Sequence, residues 1–574
     1  MEGTVLQINR LFCIIFVYLG ILAKNTPKHL AEYYLLNSYR FFSIKIHMTG
    51  SFFMEHVLYV THIKINKTQL YLTIQLPKPD LKLRAELYYQ NSSQDFHHPL
   101  RCISRTSQKL IFQIDVSVLE SGENDWNLLI RSDKTSESWT VILGARLRTQ
   151  LILGNYCISQ NGCLFFPMGS TGHRFILRSR PLRSCDSLNF HFKELLAFGL
   201  GKLLKPFWKK RHIWLIYEKY CVSAQDNGFY FFQYCMKHLP EKERKNIFFI
   251  LDKSSPQWKD TRKYHSNVIP FLSFRHLLYL ITSELYVASD SRLHAFVWKP
   301  MPNLISREIN KHDIYFLQHG VLALKRVENL FGANGTSSMT YFTASSEMEK
   351  SIIEQNFGYK PEQIPVTGLS RWDVLKDKSD PAHPSILVMP TWRSWLEDQS
   401  DEFFCQSQYY QEYTTLLNDP ELREFLRSSH TELIFYIHPK LRDYISSFHT
   451  EDSQIKLIPF GSVPLNQLIM KCSLLITDYS SVSWDAYYLG KPILFYQFDL
   501  EKYNETCGSY IDMEKDLFGE RCTTKTALLQ KISEYAKNGF KEKPQYADMR
   551  KNYFSYHDHN NRRRTYEFIK DRGY

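Results

Sequence analysis

The sequence predicts an α/β protein in which two doubly wound halves face a cleft and an all-β sandwich precedes them. Two observations support this fold class. Residues 49–190 contain short strands separated by turn-rich pieces, a pattern typical of antiparallel sandwiches. From residue 213 onward, short apolar strands alternate with helices in two successive series, which predicts two parallel sheets. With 574 residues, the chain is long enough for several domains.

These patterns divide the chain into five segments. An apolar segment, 1–48, comes first, and the β-sandwich is assigned to 49–190. A basic amphipathic segment, 191–212, leads into the halves 213–384 and 385–574. In such a pair of halves, ligands bind beyond the carboxyl ends of the strands, in the cleft between the halves.

The first segment contains one apolar stretch, Leu11–Ala23. It is shorter than the roughly 20 residues that a membrane-spanning helix needs. No small-residue cleavage pattern follows it, so we expect a peripheral anchor or a buried helix rather than an export signal. The true start of the folded protein is left open.

The segment 191–212 combines apolar residues near helical spacing with basic residues. A membrane-associating helix and a solvated linker face both fit this composition. Pro206 is expected to interrupt any single long helix. The apolar set is Leu196, Leu200, Leu203, Leu204, Phe207 and Trp208, and the basic set is Lys202, Lys205, Lys209, Lys210 and Arg211.

The net charge and the cysteine content limit the kinds of binding partner and the cellular compartment that fit this chain. The formal net charge of +12 favours anionic partners such as phosphates, nucleotides or an acidic membrane. The eleven cysteines form no C-x-x-C pair, which favours reduced thiols over a zinc site or a disulfide framework. We therefore predict a peripheral protein on the cytoplasmic face of the cell membrane.

One stretch, "LLITDYSSVSWDAYYLGKPILFY" from Leu474 to Tyr496, predicts a strand, a helix and a second strand. Three polar residues lie between the first strand and the helix: Asp478, Ser480 and Ser481. One such residue is ordinarily a helix cap. A cluster of them instead predicts a phosphate cradle, because hydroxyls and free N–H groups at a helix start bind anions.

Other polar residues also end predicted strands. Arginine can form two parallel hydrogen bonds with phosphate oxygens, and histidine can take a proton from an acceptor hydroxyl. No D-x-D motif is present, so neither a metal nor another cofactor is predicted. The strand-end residues are Gln318, His319 and Gly320 in the first half and Thr391, Trp392, Arg393, His438, Pro439 and Asp478 to Ser481 in the second.

Seven segments between about residues 213 and 570 resemble the CDP-glycerol glycerophosphotransferases, the family of teichoic-acid glycerol-phosphate and ribitol-phosphate transferases and polymerases. They occur in the order found in that family. The segments are "SAQDNGF" (223–229), "QHGVLALK" (318–325), "VTGLSRWD" (366–373), "MPTWR" (389–393), "HPK" (438–440), "ITDYSSVSWDAYYLGKPILFYQFD" (476–499) and "HDHNNRRRTYEFI" (557–569).

The resemblance implies a GT-B fold whose C-terminal half binds a CDP-alditol, CDP-glycerol or CDP-ribitol. It implies transfer of the alditol phosphate to a polymer hydroxyl with release of CMP. His319 resembles the general base, and His438 is similar to a second catalytic histidine. The residues assigned to substrate binding are Gly320, Thr391, Arg393, Pro439, Thr477, Asp478, Ser480, Ser481 and Asp485, with Asp485 expected near the ribose.

The chain departs from the family pattern after His319. The family usually has Thr and Pro where this chain has Val321 and Ala323, which leaves the identity of the acceptor open. In the C-terminal tail, H-D-H-N-N stands where H-D-G-x-x is common.

The predicted function is transfer of glycerol phosphate or ribitol phosphate to a teichoic-acid or capsular polymer. The expected partners are a lipid-linked polymer acceptor, the nucleotide-activated alditol and an anionic membrane surface, with no nucleic acid and with self-association left open. Two alternatives stay open: a GT-B glycosyltransferase that uses a nucleotide-sugar, and a non-catalytic scaffold that binds cell-wall polymer.

Overall fold

A computed structural model describes residues 57–574 except 80, 91–94, 134, 136, 154–155, 171–172, 297–303, 336, 397–400, 437–447, 451 and 460. The apolar stretch Leu11–Ala23 lies outside these ranges, so its role stays a prediction. Within them, no helix combines the length and the apolar character needed to cross a bilayer. The five predicted segment boundaries also remain predictions.

Antiparallel strands form the N-terminal region. Their hydrogen-bonded order is β3-β4-β5-β2-β1-β7-β6-β10-β9-β8, and β3 also pairs with β6. Along β2, every second residue is buried, as expected for a strand with one face on a core. The strands are β1 Val57–Asn66, β2 Gln69–Gln75, β3 Leu83–Gln90, β4 Asp95–Arg105, β5 Lys109–Asp115, β6 Asn124–Ser132, β7 Ser138–Leu143, β8 Ile158–Gln160, β9 Cys163–Gly169 and β10 Phe175–Pro181.

The sequence patterns found some of these strands and missed others. The pattern "LRAELYYQ" predicts a strand over residues 83–90, and β3 has these bounds. The pattern "WTVILGARL" predicts a strand over residues 139–147, whereas β7 ends at Leu143 and helix α1, Ala145–Leu153, follows it. Strands β4 and β8 to β10 were not predicted. Strand β4 carries two adjacent histidines and a proline, so it lacks the alternating apolar signal.

The rest of the chain contains two parallel sheets, as predicted, and each sheet has six strands. The first has the order β13-β12-β11-β14-β15-β16 and the second has the order β19-β18-β17-β20-β21-β22. The strands are β11 Trp214–Tyr217, β12 Ile247–Leu251, β13 Val268–Pro270, β14 Leu285–Ala288, β15 Asp313–Phe316, β16 Tyr341–Phe342, β17 Ser385–Val388, β18 Glu432–Tyr436, β19 Ile455–Ile458, β20 Leu474–Thr477, β21 Ile493–Tyr496 and β22 Glu520–Cys522.

Both sheets have the same strand order, in which the first and the fourth strands in sequence lie side by side at the centre. The connections leave these two strands in opposite directions, and doubly wound proteins bind ligands at this switch point. The switch point lies between β11 and β14 in the first sheet and between β17 and β20 in the second. Two equivalent edges are therefore available for a site.

The helices alternate with these strands. The sequence pattern near residues 408–428 predicts one helix, but the structure has two, because Asp419 caps a new helix that starts at Pro420. After α1, the helices are α2 Leu188–Trp208, α3 Asn227–His238, α4 Glu241–Arg244, α5 Phe274–Thr282, α6 Leu304–Ile309, α7 Glu328–Phe331, α8 Glu347–Phe357, α9 Asp401–Gln406, α10 Gln408–Leu417, α11 Pro420–Ser428, α12 Leu465–Lys471, α13 Val482–Tyr488, α14 Leu500–Thr506, α15 Lys525–Lys537, α16 Pro544–Tyr553 and α17 Asn561–Asp571.

Helix α2 corrects two expectations for the basic segment. Pro206 lies in its last turn, where its missing N–H leaves one carbonyl, that of Lys202, without its intrahelical donor, and the helix still runs on to Trp208. Lys202 and Lys205 are ion-paired rather than free, although a single carboxylate offsets only one of their two charges. Their ammonium groups lie 3.1 and 2.9 Å from the buried carboxylate of Glu308.

Candidate active site

His319 stands in the turn that follows β15, and its side chain is exposed. Its Nδ1 lies 3.3 Å from the backbone carbonyl of Ser289, in the turn that follows β14. A carbonyl only accepts hydrogen bonds, so we assign the ring proton to Nδ1. This assignment leaves Nε2 with a lone pair that can take a proton from a substrate.

The residue before His319 has a strained backbone. Gln318 has φ of 59°, a left-handed conformation that costs a residue with a side chain about 1 to 3 kcal/mol. Asn227 donates from Nδ2 to the carbonyl of Gln318 at 2.8 Å, and the Gln318 amide itself donates to the carbonyl of Thr343. These contacts hold the turn in the conformation that presents His319.

Glu349 supports the same turn from the other side. It is fully buried and accepts hydrogen bonds from the Gln318 side chain at 3.1 Å and from the backbone N–H groups of Leu322 and Ser345 at 2.6 Å each. Burial raises the pKa of Glu349, although these hydrogen bonds act in the opposite direction. The carboxyl group thus fixes both ends of the loop around His319.

Gly320 brings the two halves of the molecule together. A Cβ atom at this position would lie only 2.6 Å from Oγ of Ser481, too close for any real side chain. Glycine is therefore required at 320 for the close approach rather than for its backbone angles. The contact places the His319 turn directly beside the predicted phosphate cradle.

The cradle residues Ser480 and Ser481 are both partly exposed. Oγ of Ser480 accepts a hydrogen bond from the N–H of Val482 at 3.4 Å, which fits a residue at a helix start. Helix α13 has only seven residues, so its dipole adds little and the hydroxyls carry the predicted role. The predicted phosphate contacts of these two serines fit their position.

Arg393 needs correction as a phosphate ligand. Its side chain is 0% exposed, and its guanidinium donates to Asp499 at 2.7 and 3.0 Å and to Asp478 at 2.8 Å. Burial opposes the charge, but the two carboxylates raise the pKa of Arg393 well above its usual value. A guanidinium held by two carboxylates stabilises the ends of the strands, and it is not exposed to a ligand.

Two further predicted contacts also have structural partners. Asp478 is fully buried and accepts from the N–H of Thr391 at 2.8 Å as well as from Arg393. The hydroxyl of Thr477 donates to the carbonyl of Met389 at 2.7 Å. Both residues thus tie β20 to the end of β17 instead of facing a ligand.

The predicted substrate contact of Thr391 stays a prediction. Its Oγ1 is buried and has no hydrogen-bond partner among the residues that the structure describes. A buried hydroxyl without a partner costs free energy, so it is suited to meeting a ligand atom.

Asp485 also needs correction. It is only 6% exposed, and both of its carboxylate oxygens lie 3.0 Å from Nε of Arg371, while Trp372 donates to it at 2.7 Å. The carboxylate belongs to a buried ion pair, so the predicted contact with a ribose does not fit.

The partner of Asp485, Arg371, reaches into both halves of the molecule. It also donates to Asp226 and to the backbone carbonyl of His319, each at 3.1 Å. Burial opposes its charge, but Asp485 and Asp226 raise the pKa of Arg371 above its usual value. A permanently charged Arg371 thus joins the His319 turn to helix α13.

The remaining predictions concern His438, Pro439 and the loop after His319. His438 and Pro439 lie outside the described residues, so their catalytic and binding roles stay predictions. Val321 and Ala323, which depart from the family pattern, are buried at 3% and 0% exposure. The departure therefore changes packing in the loop rather than the groups that line its surface.

Sequence reasoning missed the residues that hold the site together. Asn227 and Arg371 lie within the segments quoted for the resemblance, yet nothing in their spacing indicates that they meet. The backbone N–H of Arg371 donates to Oδ1 of Asn227 at 2.9 Å across 144 residues of sequence. Within the described ranges, no group of three or more His, Cys, Asp or Glu residues could hold a metal ion.

Comparisons with known proteins give a consistent family. The model of the family described as CDP-glycerol:poly(glycerophosphate) glycerophosphotransferase matches residues 202–571. The minor teichoic acid biosynthesis protein GgaB of Bacillus subtilis is 29% identical over 426 residues, which are 71% of this chain and 46% of that protein. The teichoic acid glycerol-phosphate primase of the same organism is 26% identical over 263 residues, 44% of this chain and 62% of the relative.

The chain thus covers less than two thirds of the length of these curated relatives. Among solved structures, the wall teichoic acid polymerase TagF is similar at 16% identity and a TM-score of 0.47, over 67% of this chain and 98% of the other. A UDP-N-acetylglucosamine 2-epimerase from Listeria monocytogenes is similar at 15% identity and a TM-score of 0.40, over 63% of this chain and 96% of the other.

Proposed function

The chain belongs to the CDP-glycerol:poly(glycerophosphate) glycerophosphotransferase family, and from this premise we propose that it transfers an alditol phosphate. The donor is CDP-glycerol or CDP-ribitol, and the acceptor is a hydroxyl of a teichoic-acid or capsular polymer. CMP is the second product. The curated relatives named above act in teichoic acid synthesis by name, which supports this assignment.

One observation carries the proposal at the level of residues. Gly320 touches Ser481, so a group bound by Ser480 and Ser481 lies beside His319. Transfer between two substrates in a cleft requires a base for one substrate and hydrogen-bond donors for the other. Here the base lies on one half and the hydroxyl donors lie on the other.

The proposed reaction uses the chain's own groups in two roles. Nε2 of His319 takes the proton of the acceptor hydroxyl, whose oxygen attacks the phosphorus that carries the alditol. The bond from this phosphorus to the oxygen bridging to CMP breaks, and CMP leaves with the electron pair. Ser480 and Ser481 donate hydrogen bonds to the phosphate oxygens, on which negative charge is held throughout.

Product analysis tests this proposal. The purified protein is incubated with CDP-glycerol or CDP-ribitol and a glycerol phosphate oligomer, and CMP release is followed together with the ³¹P NMR signal of a new phosphodiester. Both signals are expected with one of the two donors. Sugar transfer from a nucleotide-sugar would instead favour the glycosyltransferase alternative, and donor binding without turnover would favour the scaffold.

We also propose that the protein is peripheral on the cytoplasmic face of the membrane and that helix α2 contacts anionic lipid. An apolar row faces outward on this helix, and the exposed basic residues Lys209, Lys210 and Arg211 follow its end. The row and its exposed fractions are Leu188 72%, Phe192 57%, Leu196 47%, Leu200 36%, Leu203 56% and Phe207 72%.

Co-sedimentation with vesicles that contain phosphatidylglycerol tests the contact. Burying each apolar side chain is worth about 1.5 to 3 kcal/mol, so replacing Leu203 and Phe207 by Gln should release much of the protein. Val118, which is 63% exposed in the N-terminal region, gives the matched control Val118→Gln. Equal binding by both variants would make α2 an ordinary solvated helix face. Light scattering of the protein without vesicles measures self-association.

Two finer assignments complete the proposal. Turnover is independent of metal ions, so EDTA should leave the rate of CMP release unchanged. The two parallel-sheet halves form a GT-B fold, and the N-terminal strands form a sandwich. The latter is supported by strand β4, which pairs with β3 through one half of its length and with β5 through the other.

A further inference from the structure

The turn that follows β11 lies at the switch point of the first sheet, next to the turns that carry Ser289 and His319. Strands β11, β14 and β15 are adjacent, and their carboxyl ends meet at one edge. Ser289 accepts the hydrogen bond from His319 at 3.3 Å. A group presented from the β11 turn therefore lies at the same edge of the sheet as His319.

This turn has an unusual backbone. Tyr220 and Cys221 are consecutive residues with side chains, and both have left-handed φ, at 57° and 58°. Such conformations are costly for residues other than glycine and persist only where neighbours hold them. Cys221 is fully buried, whereas Tyr220 is 47% exposed, so the strained turn projects the tyrosine ring outward.

His294 holds the turn in place. Its Nδ1 accepts a hydrogen bond from the backbone N–H of Tyr220 at 3.2 Å, and its Nε2 lies 3.2 Å from the carboxylate of Asp290. The rings of Tyr220 and His294 lie 4.5 Å apart between centroids. Asp290 directly follows Ser289, so the support of His319 and the support of Tyr220 come from one short segment.

The environment of Tyr220 suits a polyol that carries phosphate. An aromatic ring face packs against C–H groups, and the ring edge and hydroxyl stay in water. The exposed ammonium of Lys219 lies 5.6 Å from the centroid of the Tyr220 ring and supplies a positive charge next to it. This cation would attract a negatively charged group on a ligand, such as a phosphate.

We propose that Tyr220 and Lys219 form an acceptor subsite that binds the hydroxyl-terminated alditol phosphate end of the growing polymer. The ring of Tyr220 packs on the terminal alditol, and Lys219 pairs with the phosphodiester behind it. His294 is a positioning residue that fixes the ring. This inference rests on the proposed function, because it names where that reaction's acceptor binds.

Binding of a defined acceptor probe tests the subsite in the full chain. The probe is tri(glycerol phosphate), and its affinity is measured by isothermal titration calorimetry with CDP present. Tyr220→Ala should weaken the probe about 3- to 10-fold, the range of a single aromatic contact. Tyr220→Phe should keep the parent affinity, and the affinity for CDP-glycerol should be unchanged in both variants.

Three further variants keep the test decisive. Tyr59 lies in the N-terminal strands with the same exposed fraction, 47%, and Tyr59→Ala should leave probe binding unchanged. If Tyr220→Ala does not fold, Tyr220→Gly replaces it, because glycine accepts the left-handed backbone without strain. Lys219→Gln should also weaken the probe, and added salt should weaken the parent but not this variant to the same degree.

The outcomes separate this inference from the proposed function. A parent that does not bind the probe, a Tyr220→Ala variant with parent affinity, or an equal loss in Tyr59→Ala would overturn the subsite. If the parent binds the probe through Tyr220 but releases no CMP from CDP-glycerol or CDP-ribitol, the proposed transfer reaction fails while the subsite stands.

Discussion

The two parallel-sheet halves have the same strand order, yet they use the ends of their strands differently. In the first half, the turn after β15 carries His319, whose side chain is exposed. In the second half, the arginine that follows β17 is 0% exposed and is held by Asp478 and Asp499. A place at a strand end thus locates a residue near the cleft, but its partners decide whether it faces the ligand or supports the residues that do.

The largest expected effect comes from breaking the buried support in the second half. Arg393→Met leaves two buried carboxylates without their cation, which should lower the free energy of unfolding by about 3 to 5 kcal/mol. Urea denaturation measures this loss. Arg146→Met, at an exposed position, is the control and should leave the midpoint unchanged. A stable Arg393→Met protein that has lost donor affinity would make Arg393 a phosphate ligand after all.

The next effect concerns the turn of the first half. Asn227 is fully buried, and Asn227→Ala removes the partners of the Gln318 carbonyl and of the Arg371 N–H. We expect a loss of about 2 to 3 kcal/mol in stability and a fall in turnover with little change in donor affinity. Asn227→Asp keeps an acceptor for the Arg371 N–H but buries a carboxylate against the Gln318 carbonyl, so it should lose at least as much stability as Asn227→Ala. Equal turnover in all three proteins would show that the Gln318 turn does not depend on Asn227.

A smaller effect tests the contact between the halves. Gly320→Ala places a Cβ 2.6 Å from Oγ of Ser481, and the displacement should cost about 1 to 2 kcal/mol. Adding Ser481→Gly removes the clash and should restore stability without restoring donor affinity. If the second substitution does not recover the melting temperature, residues 320 and 481 are not in contact.

The smallest effect concerns the ion pairs between helix α2 and Glu308, whose contribution to the free energy of unfolding depends on pH. Burial alone would raise the pKa of Glu308, but the hydrogen bonds from Lys205 and Lys202 lower it to about 2. A lowered carboxyl pKa stabilises the folded protein above the unfolded value near 4.5, and this contribution is lost as pH falls from 4.5 toward 2. Because both lysines are more than a third exposed, we expect only about 1 kcal/mol. Glu308→Gln should remove this part of the acid sensitivity in urea titrations at pH 7 and pH 3.

Much of the fold could be predicted because it depends on local patterns. Helix α5 starts after its cap Ser273 and helix α8 after its cap Ser346, and buried apolar runs mark the parallel strands. The antiparallel strand β4 was missed because its polar residues hide the alternation. Position along the chain was thus readable wherever a single segment contains the whole signal.

The site was only partly predictable because its partners are distant in sequence. Arg371 and Asp485 meet across 114 residues, and the two hydrogen bonds of Asn227 span 91 and 144 residues. From the sequence alone, Arg393 looks like a phosphate-binding residue, because its carboxylate partners cannot be recognised there. The strained backbone at Gln318 and Tyr220 likewise leaves no mark in composition, because neither residue is the glycine that such angles favour.

Measuring donor affinity and turnover separately for two variants tests the central claim, that His319 serves the acceptor while Ser480 and Ser481 hold the donor. His319→Ala should lower turnover about 10²- to 10⁴-fold with CDP-alditol affinity unchanged. The double variant Ser480→Ala and Ser481→Ala should lose donor affinity while it stays folded, because each hydrogen bond to a charged group contributes about 1.5 to 3 kcal/mol. Near-parent turnover in His319→Ala, or near-parent donor affinity in the folded double variant, would contradict the account.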